Sequence, residues 1–114
     1  MSSDLRSLIG PYEYLELPDR GVVRFMVSSF ERGTTVIHPR YEGAPSEKTI
    51  EALRIHVSEK YKPLPPPYWD ITSKTLIAQL LPLILERDRD RYEYVVTKYG
   101  EGVKARFTLE RVPI

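Results

Sequence analysis

The N-terminal part of the chain alternates apolar and polar residues with a period of two, which is typical of half-buried β-strands. The alternation is clearest in Val22–Phe30, and shorter segments with strand character lie at Tyr12–Leu17 and Thr34–His38. A Pro-Asp-Arg-Gly turn signal separates the first two segments, and Glu31–Gly33 has the length of a hairpin turn. We therefore predict a three-stranded antiparallel meander.

The middle of the chain predicts a first, amphipathic helix. Ser46 is a good N-cap residue, and Ile50, Leu53 and Val57 follow it with the spacing of one helical face. Pro63 would end this helix, because proline cannot continue the backbone hydrogen bonding.

A second helix is predicted after the proline-rich bend. Either Asp70 or Thr72 would cap it, and the apolar pattern runs to about Arg87. Apolar residues surround almost its whole circumference, so we expect it to be the central buried helix. Pro82 lies inside the pattern and should kink or break it.

The C-terminal part predicts a β-hairpin of Tyr92–Lys98 and Val103–Val112. Two registers are open. A loop of Gly100–Gly102 places Tyr92 and Tyr94 on the exposed, basic face, whereas a loop one residue longer turns both into the core. The element order is then βββααββ: a single α+β domain over residues 1–114, with a small antiparallel sheet packed on two helices. Residues 1–11 are expected to form a flexible arm.

Composition narrows the class of protein. The chain has 114 residues, a net charge of +1 and no cysteine. These values exclude a histone-like polycation, disulfides and thiolate metal sites. The chain has no asparagine and one glutamine, and it contains 10 prolines, which is typical of proteins from thermophiles. It contains no targeting segment and no apolar run that could span a bilayer, so we expect a soluble, cytoplasmic protein.

Catalytic and metal-binding motifs are not found in the sequence. The two histidines, His38 and His56, lack metal-ligand spacing, and no glycine-rich phosphate loop occurs. We therefore expect a protein that is not an enzyme and holds neither a metal nor a cofactor.

Basic residues repeatedly stand beside aromatic ones. Cations that follow phosphates and aromatic rings that stack on bases are the chemistry of single-strand binding. This pattern predicts a sequence-tolerant protein that binds single-stranded DNA or RNA in a cleft. The candidate residues are Arg24, Arg40, Tyr41, Tyr68, Trp69, Tyr94, Lys98, Lys104 and Arg106.

An alternative function is a non-catalytic interaction or structural subunit that docks through the Pro63–Trp69 loop. Trp69 has a structural and a functional interpretation: it would either pack against the first turn of the second helix, or act as a stacking platform or docking anchor. Self-association is left open by the sequence, as is the choice between DNA and RNA.

The predicted element order and the stretch Pro65–Leu76, which reads PPPYWDITSKTL, resemble the ThermoDBP group of archaeal single-stranded-DNA-binding proteins. The resemblance implies sequence-tolerant binding in a cleft with apolar and aromatic walls and a basic rim. The longer members of that group dimerise through a C-terminal leucine zipper, a feature that this chain, whose sequence ends at Ile114, does not show.

Overall fold

A computed structural model describes residues 6–8 and 10–114 of the chain. In this part of the chain, strands predominate and one α-helix is present. The elements are β1 (Arg6–Ser7), β2 (Val22–Phe25), β3 (Ser29–Ile37), β4 (Lys48–His56), β5 (Tyr68–Ile71), α1 (Lys74–Ile84), β6 (Tyr92–Tyr99) and β7 (Arg106–Pro113).

The strands form two sheets. One has the order β1-β3-β4-β5, in which β1 is parallel to β3 and the other pairs are antiparallel. The second sheet is antiparallel with the order β2-β6-β7. The predicted fold class, a small sheet packed on two helices, is therefore wrong: the fold is mostly β, and α1 packs against both sheets.

The first predicted helix is the error with the largest consequence, because this segment forms strand β4. Leu53 and Ile55 face the core, while Ala52 and Arg54 are buried on the opposite face. A strand buried on both faces loses the simple alternation of period two. The aliphatic residues Ile50, Leu53 and Val57 are then three and four positions apart, which is also the spacing of one face of a helix.

The predicted meander is also wrong, because β2 and β3 belong to different sheets. The chain passes from one sheet to the other at residues 26–28, inside the segment predicted as one strand. The expected turn at Glu31–Gly33 lies within β3. The predicted strand at Tyr12–Leu17 is reduced to one bridge, which joins Tyr14 to Asp70.

The second predicted helix is confirmed as α1, with different ends. Ser73, and neither of the two predicted residues, is the N-cap, and its hydroxyl accepts a hydrogen bond from the Leu76 N–H. The helix ends two residues after Pro82. It buries Leu76, Ile77, Leu80 and Ile84, but Leu85 is 62% exposed. The helix therefore covers the core with one face and is not surrounded by protein.

The core lies between the sheets and the buried face of α1. Its aromatic centre is Phe25 of β2, whose ring centroid lies 6.0 Å from that of Tyr94 and 6.1 Å from that of Trp69. Because β2 and β6 belong to one sheet and β5 to the other, these three rings join the two sheets.

The C-terminal hairpin adopts a register with a longer loop than either prediction assumed. Tyr99 pairs with Arg106, and the loop between them contains a 3-10 turn at Gly102–Lys104. Gly100 and Gly102 have φ values of 80° and 64°, a region that favours glycine. Tyr94 faces the core. Of the two predicted registers, the one that turns Tyr94 inward is therefore correct about the buried face of β6, although its loop is too short.

The N-terminal segment crosses the outer face of the four-stranded sheet. It begins beside β3, where the Leu8 N–H donates to the Thr34 carbonyl, and it ends beside β5. There the Asp70 N–H donates to the Glu13 carbonyl, and the Leu15 N–H donates to the Asp70 carbonyl. Of the predicted flexible arm, residues 1–5 and 9 lie outside the described residues.

Candidate functional site

The outer face of the β2-β6-β7 sheet is a candidate binding surface, which we call the open face. Its side chains are exposed or half-buried because α1 and the other sheet cover only the inner face. In an antiparallel sheet, every second residue of each strand shares a face. The open face consists of Val22, Arg24, Glu93, Val95, Thr97, Tyr99, Arg106, Thr108, Glu110 and Val112.

One end of the open face combines an aromatic ring with cations. Tyr99 is 47% exposed and pairs directly across the strands with Arg106. Lys104 is exposed in the 3-10 turn that precedes β7. Directly paired residues in an antiparallel sheet have their Cβ atoms about 5 Å apart. The two side chains therefore leave the sheet side by side on an accessible surface.

The other end of the open face is electrically balanced. Arg24 Nη1 lies 3.2 Å from Glu93 Oε1, and the Arg24 side chain is 60% exposed. Glu110 lies in the same cross-strand row as Arg24, with Val95 between them. The Tyr61 hydroxyl donates to the second oxygen of Glu93 at 3.0 Å. At the Tyr99 end, the cross-strand partner of Arg106 is the uncharged Tyr99. The carboxylates of that end, Asp19 and Glu101, lie at the loop after β6, where Asp19 Oδ1 accepts from the Gly100 N–H at 2.8 Å.

The structure brings only part of the predicted site together. Arg24, Lys104 and Arg106 are exposed at the open face or beside it. Tyr94 is 0% exposed, so its ring is not accessible to a base. Lys98 turns away from the face, and its Nζ donates to the Leu17 carbonyl at 2.8 Å.

The remaining predicted residues lie elsewhere. Trp69 packs against the core with its indole beside Phe25. Tyr68 lies on the outer face of the four-stranded sheet, and Arg40 and Tyr41 are exposed in the loop between β3 and β4. The predicted residues therefore do not form a single cleft.

Sequence reasoning missed Tyr99 as a surface residue. A loop of Gly100–Gly102 pairs Tyr99 with Val103 and gives it a buried position, whereas the longer loop pairs it with Arg106. The signal that could have found it is the pair of glycines at 100 and 102. Two left-handed positions so close together allow a wider loop that contains a helical turn.

A second polar cluster lies on the outer face of the four-stranded sheet. Arg54 Nε and Nη2 donate to the two oxygens of Asp70 at 2.7 and 3.0 Å, and this hydrogen bonding raises the pKa of Arg54. The guanidinium carbon lies 4.0 Å from the centre of the Tyr68 ring. His56 Nε2 lies 2.7 Å from Glu31 Oε2 at the exposed margin of this cluster.

This cluster has the geometry of a structural support. Asp70 also accepts a hydrogen bond from the Glu13 N–H at 3.0 Å, and the Pro11 carbonyl accepts from Arg54 and from the Tyr68 hydroxyl. The buried ion pair therefore holds the N-terminal segment against the sheet. Its charged groups are occupied by contacts within the chain.

A groove of about 330 Å³ lies between α1 and strands β3 and β4. Its wall is mostly apolar, and Arg32 and Glu51 form an ion pair of 3.4 Å beside it. The residues that line it are Arg32, Glu51, Lys74, Ile77, Ala78, Leu81, Pro82 and Leu85. The groove suits an apolar group, but it offers no aromatic ring for a base.

Within the described ranges, no cluster of three or more His, Asp or Glu side chains is arranged to bind a metal ion. The helix of this part of the chain is also too short to cross a lipid bilayer. Comparisons of the chain with protein-family models, with curated proteins and with solved structures find no match.

Proposed function

We propose that the chain is a non-catalytic protein that binds single-stranded nucleic acid on its open face. The observation that carries the proposal is the exposed pair of Tyr99 and Arg106, with Lys104 beside it. An aromatic ring next to two cations on an uncovered antiparallel sheet is the arrangement that stacks one base and neutralises the adjoining phosphates.

The binding step follows from this geometry. A base lies on the Tyr99 ring, and the guanidinium of Arg106 donates hydrogen bonds to a phosphate oxygen. Lys104 adds a second, more mobile positive charge along the strand. Val22 is 54% exposed on the same face and offers an apolar contact for a neighbouring base. None of these contacts reads a base edge, so binding would tolerate any sequence.

The acidic residues of the open face limit where a nucleic-acid strand can lie. Glu93 and Glu110 would repel phosphates at the far end of the face. The nucleic-acid strand should therefore cross the open face at the Tyr99 end and avoid the Glu93 end. This path predicts a short site that covers few nucleotides.

The test is a fluorescence anisotropy titration of labelled oligothymidine with matched variants. Tyr99→Ala should weaken binding by about 1–3 kcal/mol, which is the usual contribution of one stacked base. Tyr41→Ala removes another exposed tyrosine, in the β3–β4 loop, and should leave the affinity unchanged. Equal effects of the two variants, or no binding at low salt, would refute the proposal.

A second candidate function, docking of a protein partner on the proline-rich loop, is favoured by one observation. Lys62 is buried and its Nζ donates to the carbonyls of Leu64 and Pro66 at 2.9 and 2.6 Å. The loop is thereby held in one shape while Leu64 is 76% exposed. Binding of a defined partner that Leu64→Ser abolishes and Tyr99→Ala preserves would support this function.

The resemblance to the ThermoDBP group stays a prediction. Part of its basis, the βββααββ order, is replaced by the two-sheet fold. The binding surface proposed here is an open sheet face and does not depend on that resemblance.

A further inference from the structure

The two sheets differ in how their edges are covered. In the four-stranded sheet, β1 lies along β3, and the segment around Tyr14 bonds to β5. In the three-stranded sheet, β7 is an edge strand of eight residues, and no other strand of the described chain pairs with its outer side. Such an edge presents backbone donors and acceptors to solvent.

Hydrogen bonds across β6 establish which residues of β7 point toward the open edge. The Lys98 N–H donates to the Gly21 carbonyl, and the Lys98 carbonyl accepts from the Arg20 N–H. Both backbone groups of Lys98 therefore point toward β2, so its pair with Phe107 is not hydrogen-bonded. The backbone groups of Phe107 must point away from β6.

A hydrogen bond at the other end of the strand gives the same alternation, since the Ile114 N–H donates to the Arg91 carbonyl. The residues of β7 that direct their N–H and C=O groups to the open edge are then Phe107, Leu109 and Arg111. A second strand can bond to this edge only if these odd-numbered positions face each other.

The side chains of the edge are complementary to themselves. When two copies of β7 run antiparallel about a two-fold axis at Thr108, Arg106 of each copy faces Glu110 of the other. Phe107 then faces Leu109, which satisfies the backbone requirement. An axis at Arg106 or Arg111 would place two arginines opposite each other, and an axis at Glu110 would place two glutamates opposite each other. An axis at Leu109 would place Thr108 opposite Glu110 and form no ion pair. An axis at Phe107 would pair only residues 106–108, because β7 begins at Arg106.

We propose that β7 pairs with β7 of a second copy of this chain, antiparallel and with Thr108 on the two-fold axis. The interface consists of backbone hydrogen bonds between Phe107 and Leu109 and of two Arg106–Glu110 ion pairs. It joins the two open faces into one continuous sheet. The proposal does not rest on nucleic-acid binding, and Arg106 retains donors for a phosphate because a guanidinium has five.

Two features limit how much of the β7 edge can hydrogen-bond to a second strand. Gln79 of α1 donates its amide to the Phe107 carbonyl at 3.1 Å, so the second strand must share or displace this bond. Pro113 lacks an N–H and ends the stretch that can bond. Pro113 lies outside the stretch around Thr108, and the Phe107 carbonyl can accept from Gln79 and from the second strand together, because a carbonyl oxygen has two lone pairs. The area of such an interface is small, so the dimer should dissociate on dilution.

The first test uses the absence of cysteine from the chain. Residues on the axis of a non-hydrogen-bonded pair have Cα atoms about 4.5 Å apart, within the range of a disulfide. Under mild oxidation, Thr108→Cys should form a covalent dimer about tenfold faster than Thr49→Cys, an exposed threonine on β4. Equal rates for the two variants would overturn the proposal.

The second test exchanges charges and uses sedimentation equilibrium at low salt. Arg106→Glu and Glu110→Arg each create two like-charge pairs, so each should weaken the dimer by about tenfold. The double variant restores opposite charges and should recover the affinity of the natural chain. A monomer at every concentration, or a dimer that the single reversals leave unchanged, would overturn the proposal.

Discussion

Arg54 and Asp70 form a bidentate ion pair on adjacent strands, with distances of 2.7 and 3.0 Å, and Asp70 is fully buried. The pair lies beneath the N-terminal segment and supplies hydrogen bonds to it through Glu13 and Pro11. A single buried pair thus connects β4, β5 and a segment of the chain that lies far from both in sequence.

Asp70→Ala should therefore destabilise the protein strongly. Removal of one member of a buried pair leaves the other charge without its partner, which costs about 3–5 kcal/mol. Urea unfolding would measure the loss. The control is Glu51→Ala, which breaks the more exposed pair with Arg32 and should cost about 1 kcal/mol or less. Equal losses would show that the Asp70 pair is not the support described above.

Leu80→Ala should cost about 2–5 kcal/mol, because Leu80 is fully buried at the centre of α1 and its replacement leaves a cavity. Leu85→Ala, at the exposed end of the same helix, should change the free energy of unfolding by about 0.5 kcal/mol or less. Thermal unfolding of the two variants provides the comparison. Similar melting temperatures would contradict the assigned core face of α1.

Trp69→Ala should lower stability by about 3 kcal/mol, because the indole packs against Phe25 and the core. It should leave the affinity for oligothymidine unchanged when binding is measured well below the melting temperature of the variant. A specific loss of binding with unchanged stability would instead identify Trp69 as a stacking platform.

The stability should also fall at alkaline pH through Tyr94. Burial raises the pKa of Tyr94 above its ordinary value, and its hydroxyl donates to the Arg89 carbonyl at 3.1 Å. The unfolded chain releases this proton near pH 10, whereas the folded protein holds it. The contribution is therefore complete below about pH 10 and is lost as the pH rises toward the folded pKa.

The measurement is the free energy of unfolding of the natural chain and of Tyr94→Phe between pH 8 and pH 11. The variant should be less stable near pH 8, and the difference should shrink above about pH 10. Tyr41→Phe, at an exposed tyrosine, serves as the control. A constant difference across this range would contradict the assignment.

The sequence predicted the parts of the fold in which local pattern and tertiary environment agree. The C-terminal hairpin buries one face, so its period of two is visible. The apolar run of α1 predicted the helix, but it did not show that only one face of the helix is buried. Strand β4 is buried on both faces, and the buried Arg54 on its outer face is explained only by Asp70, which lies 16 positions later. The local sequence around Arg54 does not reveal this partner, so the segment was predicted to be an amphipathic helix.

The candidate site was predictable only in part, for the same reason. Arg24 and Arg106 were expected at a surface because they alternate with apolar residues, and they are exposed. The face of Tyr94 and Tyr99 depends on the length of the loop after β6, which local turn preferences did not determine. The pairing of Tyr99 with Arg106 follows from that loop.

The most direct test of the proposed function is a titration of isotope-labelled protein with oligothymidine, followed by backbone amide chemical shifts. The largest shifts should occur at Tyr99, Lys104 and Arg106, with smaller ones along β2 and little change in the groove beside α1. Binding should weaken as salt is raised. Shifts concentrated at the proline-rich loop or the groove, or no shifts at low salt, would contradict binding of single-stranded nucleic acid on the open face.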